Sequence, residues 1–216
     1  MTLRLSYVSE AAAGTPYSLT LKNESASDYT LYVFQKTPDQ ETANIFSLAW
    51  FASPFVIVAG NQIQFDWSID YSFVWGATGH LVPGVTFQAS GVTDADPAGA
   101  NTTGFSVAPG PHLTAATQGD PAGSLVISDS SDVPNDRFSV GIGMSGAGTF
   151  AVQAGPNLTH TFTPTPTYWI GAGSNISIGK VLEITTNNPV AQVTFPPNVY
   201  DLTYVLDQSN EWVPDQ

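Results

Sequence analysis

The sequence predicts an all-β fold: an antiparallel β-sandwich, jelly-roll-like or Greek-key, with long loops and little helix. Three observations point there. Residues 62–75 alternate apolar and polar side chains, with Ile63, Phe65, Trp67, Ile69, Tyr71, Phe73 and Trp75 on one parity and Gln62, Gln64, Asp66, Ser68, Asp70 and Ser72 on the other. A period of two marks a strand with one buried face. Short β-branched and aromatic segments recur along the whole chain between Gly, Pro, Asn and Asp, which is the spacing of sandwiches and barrels. Finally, 19 Gly and 16 Pro are spread evenly, leaving little room for a long helix.

Taken in order, strands are expected at residues 17–22, 29–35, 63–75, 125–128, 138–142, 149–154, 181–186, 190–195 and 202–206. The one stretch with helical character is 40–51, where Ala and Leu interrupt the β-branched pattern. Thirteen residues in one strand would span about 43 Å, far beyond the usual length. The run 63–75 must therefore bend, bulge or cross between two sheets, and it is expected to be the spine of the core. Residues 91–104 and 128–137 read as long loops, and 155–167, with Pro156, Pro164 and Pro166, as extended irregular chain. No shift in composition marks a boundary, so residues 1–216 are expected to form a single sandwich domain.

A chain of 216 residues can build a core without covalent staples, which suits the absence of cysteine and excludes thiol catalysis and Cys-based metal sites. Eighteen acids against five Lys and Arg give a net charge of −13. Such a surface repels nucleic-acid backbones and anionic membranes, so neither is an expected partner. Unpaired sheet edges and a low density of surface charge are compatible with a homodimer. No secretory leader or 18-residue apolar run is visible, and the expected location is cytoplasmic. Sequons at Asn23, Asn101, Asn157 and Asn175 carry little weight in a chain so rich in Asn, Ser and Thr.

Several motifs resemble catalytic signatures without their context. Gly141, Gly143 and Gly146 have the G-x-G-x-x-G spacing, but a strand and not a helix follows, so a tight β-connection or bulge is expected. Ser145 sits near a nucleophile-elbow pattern with one glycine displaced and no supporting helix. His80, His112 and His160 lack the spacing of a local metal site. Asp94 and Asp96, and Asp129, Asp132 and Asp136, make two acidic loops. Neither matches the spaced pattern of a calcium loop, and turn capping is the plainer role. No metal or cofactor is expected. Asp66 and Asp70 differ because they fall on the polar face of the long strand, about 13 Å apart if it is straight. That is too far for a retaining glycosidase pair. Should that face line a cavity, they are the first candidates for a site. Among the five Trp residues, Trp50 and Trp169 are the candidates to stack on a sugar or another small molecule.

The segments NIFSLAWF, FDWSIDYSFVWGATGHLVPGVTFQAS and FSVGIGMSGAGTFAVQAGPNLTHTFTPTPTYWI resemble the RhiA family, rhizosphere-expressed proteins of nodulating soil bacteria. The likeness runs over roughly residues 20–195 and is most specific at residues 65–79. It implies a bacterial type of protein, associated with population-density control and plant interaction, and it assigns no catalytic or binding residue to any position here.

The expected function is non-catalytic recognition of a small molecule, glycan or protein partner, with Asp66, Asp70, Trp50 and Trp169 as candidate ligand contacts. The alternative is an enzyme of small-molecule metabolism with an aromatic-lined β-sandwich cavity and an Asp as acid or base. A membrane-inserting β-protein is disfavoured, because seven bulky residues on one strand face suit a static core.

Overall fold

The computed structural model describes residues 2–8, 15–36, 45–165, 167–183 and 189–215. Among these residues all regular structure is β. In chain order the strands are β1 (Thr2–Tyr7), β2 (Tyr17–Asn23), β3 (Thr30–Gln35), β4 (Phe46–Ser47), β5 (Ala49–Ala52) and β6 (Asn61–Trp67). There follow β7 (Tyr71–Gly76), β8 (Gly91–Ala95), β9 (Thr102–Ser106), β10 (His112–Leu113), β11 (Leu125–Asp129) and β12 (Ser139–Met144). The last six are β13 (Ala147–Gln153), β14 (Thr159–Phe162), β15 (Tyr168–Gly173), β16 (Val190–Val193), β17 (Asp201–Leu206) and β18 (Trp212–Pro214). No helix among the described residues is long and apolar enough to cross a membrane.

These strands make four sheets, ordered β1-β6-β2-β17-β18, β16-β15-β3-β5, β4-β13-β12-β7-β8 and β10-β9-β11-β14. Most neighbours run antiparallel; β1 with β6, β2 with β17 and β9 with β11 run parallel. The first two sheets contribute jointly to one core. Leu19, Leu21, Ile63, Phe65 and Trp67 from one meet Leu31, Val33, Phe51, Tyr168 and Ile170 from the other. The other two sheets share a second core around Phe73, Phe105, Leu125, Ile127, Val140 and Ile142. A third cluster, with Leu48, Val74, Leu81, Phe87, Ala151 and Val181, includes side chains from β7 and β13 of the β7-containing sheet. Each large side chain removed from water in this way contributes roughly 1.5–3 kcal/mol.

The long alternating run is divided between sheets. It belongs to the β1-containing sheet through Trp67, breaks at residues 68–70, and resumes as β7 in another sheet. Ile63, Phe65 and Trp67 face the first core and Phe73 the second. Ile69, in the break, is exposed, whereas Asp66, Ser68, Ser72 and Val74 on the other parity are buried. A strand that changes sheets changes what covers each of its faces, so a single buried parity does not hold through the junction.

Four local expectations need correction. The helical stretch 40–51 is strand wherever it is described, as β4 and β5; residues 40–44 lie outside the described residues. β5 pairs with β3, and its Trp50 and Phe51 are buried in the first core. Residues 91–104 contain β8 and the start of β9. Residues 155–167 contain β14. The strand expected at 181–186 is reduced to a bridge between Leu48 and Val181, with 184–186 outside the described residues.

The glycine-rich motif is a hairpin. β12 and β13 close through Ser145 and Gly146, both at positive φ (51° and 74°), and their register shifts between Ile142 and Gly143. Two central residues with positive φ define the tight turn whose twist matches paired strands. Asn23 and Asn101, two of the sequon asparagines, are buried. Asn23 donates to the Ile57 carbonyl, and Asn101 ties the 119–124 segment to β9.

Candidate functional site

Of the two strand acids, Asp66 is closed off. It is 3% exposed and accepts from Arg4 Nε at 2.6 Å and from Gln64 Nε2 at 2.9 Å. The parallel pairing of β1 with β6 sets Ser6 opposite Asp66 and brings Arg4 within reach of it. Trp50 is also sealed, with no exposed surface and its indole N–H donating to the Met144 carbonyl at 2.8 Å. Its ring stacks on Phe51 at 3.9 Å between centroids and meets Trp67 edge-on at 5.4 Å. Trp169 is half-buried, with the Lys36 ammonium 3.5 Å from its ring centroid and Phe34 tilted against it. The Trp50 indole thus has no face open to a ligand, and Lys36 lies over the ring of Trp169.

Asp70 has a different setting. It lies in the break after β6 and lines an open cleft of about 540 Å³ with Tyr7, Val8, Tyr71, Ser72, Val92, Asp94, Ala95, Ser145 and Gly146. The walls come from four places: the end of β1, the β6–β7 junction, the edge strand β8 and the β12–β13 turn. Antiparallel pairing of β7 with β8 sets Ser72 opposite Asp94 and Tyr71 opposite Ala95. That register brings Asp94 to the same cleft as Asp70. Tyr7 continues the aromatic core to the rim, its ring stacked on Phe51 at 4.2 Å.

The turn holds Asp70 in place. The Ser145 N–H donates to Asp70 Oδ1 at 2.9 Å, and the Ser145 hydroxyl lies 3.0 Å from the same oxygen. That hydroxyl also bonds the Ser68 carbonyl and accepts the Ser68 N–H at 3.1 Å. A serine so fully engaged, with a carboxylate and no imidazole beside it, is a structural clamp and not an activated nucleophile. Ser72 is only 6% exposed, and its Oγ has no hydrogen-bond partner among the described residues. That oxygen is shut off from solvent beside Gly143, the ladder partner of Ser72 on β12. Burial raises the Tyr7 and Tyr71 phenols above their ordinary pKa, so both stay neutral and protonated at neutral pH.

The other acids and histidines singled out in the sequence are bonded within the chain. Asp132 accepts from the hydroxyls of Ser130 and Ser106 and from the N–H groups of Ala108 and Val107. The Ser130 bond foremost, then the others, holds its carboxyl below the usual range. Asp96 caps its own turn through the Ala98 N–H. Asp136 pairs with His80 at the surface, and His112 bonds the Gly110 carbonyl. His160 Nε2 lies 2.9 Å from Asp129 Oδ2 in the interior, where the Gly155 N–H donates to the same oxygen. Among the described residues no three His, Asp or Glu side chains come together as a metal-binding group.

The sequence singled out Asp70, Asp94 and Ser145 separately, and the structure brings them together. It does not bring Asp66, Trp50 or Trp169 to that cleft. Tyr7, Tyr71, Ser72 and Val92 were missed as site residues. Tyr71 and Ser72 looked like ordinary members of an alternating strand, and Tyr7 and Val92 had no signal of their own.

Fold and site together define an all-β protein with an acidic, tyrosine-walled cleft at a sheet edge. The RhiA family model matches residues 14–216. The chain is also 60% identical over 201 residues to Protein RhiA of Rhizobium leguminosarum bv. viciae, covering 93% of this chain and 87% of that protein. The chain belongs to the RhiA family. No solved structure matches it.

Proposed function

We propose that this protein is a non-catalytic binding protein that holds a small polar molecule in the cleft beside Asp70. One observation carries the reading. Residues distant in sequence, among them two aspartates and two tyrosines, converge on one open concavity. Concave sites with a few convergent polar groups on an otherwise apolar wall are where small ligands bind. Val8, Val92 and Ala95 supply the apolar part. The clamped Ser145, and the absence of any histidine from the lining, support binding over acyl transfer.

Ligand-observed NMR with the full chain, against neutral sugars, polyols and small amines, tests the reading. Val92 is 53% exposed on edge strand β8, so Val92→Trp fills the cleft without entering a core. Hits should weaken at least about tenfold in that variant, a loss of about 1.4 kcal/mol. Hits unchanged by Val92→Trp, or conversion of a ligand into a new compound in the same tubes, contradict the proposal.

A further inference from the structure

We infer that the open edge of β1 is a self-association surface: two copies of this chain pair β1 against β1, antiparallel, about a two-fold axis centred on Leu5.

The first support is a comparison of sheet edges. An edge strand offers a row of unpaired N–H and C=O groups, and proteins blunt such edges by shortness, charge or a cover. Strands β4, β10, β14, β16 and β18 lie at sheet edges and have four residues or fewer. Edge strand β5 is covered, since the Ala49 N–H donates to the Lys180 carbonyl and the Gly179 N–H to that of Ala49. Edge strand β8 carries Asp94. β1, with six residues, pairs with β6 on one side and has no ladder partner on the other among the described residues. It contains no acid and no proline, and its single charge, Arg4, bonds Asp66.

The second support is the apolar surface beside that edge. Leu3, Leu5 and Tyr7 share one face of β1 and are only half-buried. Leu3 opens on a groove with the exposed Phe55 and Val56, and Leu5 and Tyr7 on a groove with the exposed Ile178. Neither groove has a charged residue in its lining. With a net charge of −13, two copies repel wherever their acids meet, and this strip brings none together.

The register follows from pleat and charge. Directly opposite residues of an antiparallel pair point to the same face, so the axis must pass through a residue position and not between two. Centring on Arg4 would set two guanidiniums opposite each other, which destabilises. Centring on Leu5 overlaps nearly the whole strand. It sets Leu3 opposite the partner's Tyr7, Leu5 opposite the partner's Leu5 and Ser6 opposite the partner's Arg4. Ser6 is itself opposite Asp66 on β6. The row from Asp66 through Ser6 to the partner's Arg4 crosses two strand spacings, about 10 Å, within the combined reach of an aspartate and an arginine side chain. Arg4 is 67% exposed, so each copy's cation faces the other copy's acid.

Sedimentation equilibrium on the full chain tests the inference, and a reversible dimer at micromolar concentration is the expected result. Ser6→Arg sets like charges opposite each other on both sides of the axis and should weaken the dimer about tenfold or more. Within its own copy the same change places a cation beside Asp66, so the urea midpoint of the monomer should not fall. Because the chain has no cysteine, Leu5→Cys reports the register. Opposite Cα atoms across antiparallel strands lie within disulfide range, and mild oxidation should join the two copies. Ser209→Cys, exposed on the β17–β18 turn, should cross-link far more slowly. A monomer at every concentration up to the millimolar range overturns the inference. So does a dimer that Ser6→Arg does not weaken, or a Leu5→Cys chain that cross-links no faster than Ser209→Cys.

Discussion

Asp66 and Asp70 stand four residues apart, and the chain treats them in opposite ways. Asp66 lies in β6, within a sheet, flanked by β1 and β2 and closed by Arg4. Asp70 lies where the chain leaves that sheet, on a wall shared with an edge strand. The first carboxylate has a protein cation and almost no solvent; the second has a hairpin turn that aims it and no protein cation. The difference teaches that a polar residue's role follows from what its neighbours leave unsatisfied. Inside a sheet, ladder partners fill both sides. At a junction between sheets, nothing has to.

The largest expected effect lies on the sealed side. Trp67→Ala should destabilise the fold by about 3–5 kcal/mol in urea denaturation, since a buried aromatic is removed from a packed core. Val92→Trp should leave stability nearly unchanged. Equal losses would mean that the cleft is as structural as the core, and the contrast would collapse.

Alkaline titration sharpens the same contrast. Burial pushes Tyr32 up to about 12 and raises Tyr168 as well, while Tyr7 and Tyr71 at the cleft are raised to a lesser degree. A raised folded-state value means that stability is fully present below the unfolded value near 10. It is lost as pH climbs toward 12, by roughly 2–3 kcal/mol for Tyr32. Tyr7 and Tyr71 should therefore ionise before Tyr32 and Tyr168, whose tyrosinate absorbance should appear together with unfolding. A single titration step near pH 10 with the fold intact would contradict the sealed core.

Smaller effects separate the two acids. Asp66→Ala should cost about 1 kcal/mol, discounted because Arg4 is itself largely exposed. Asp70→Asn keeps an acceptor for the Ser145 N–H and should cost less than about 0.5 kcal/mol. Gly146→Ala, at a positive φ with open space around it, should cost about 1 kcal/mol from backbone conformation alone. Chemical denaturation checks all three. A reversed order of Asp66 and Asp70 would reverse the roles given to them.

Much of the fold was legible in the sequence. The alternation over 62–75, the even spread of Gly and Pro, and the strand-not-helix after Gly146 all mark β-structure, and the extended run had to bend or cross. Strands β8 and β9 were not legible, because an edge strand such as β8, with Val92 and Asp94 exposed, needs no apolar period. The site was legible only in parts. Asp70, Asp94 and Ser145 stood out as residues, but their convergence depends on the pairing of β7 with β8 and on the β12–β13 turn. Register across a sheet is a long-range property that no local pattern encodes. Trp50 drew notice as a stacking candidate, and it is buried where β5 pairs with β3.

Backbone amide NMR of the full chain titrated with glucosamine tests the central claim most directly. Shifts concentrated at Tyr7, Asp70, Ser72, Asp94 and Ser145, with residues around Trp50 and Asp66 unmoved, are the predicted result. Shifts concentrated at Trp169 or the exposed Phe55–Val56 loop, with the cleft silent, would contradict it.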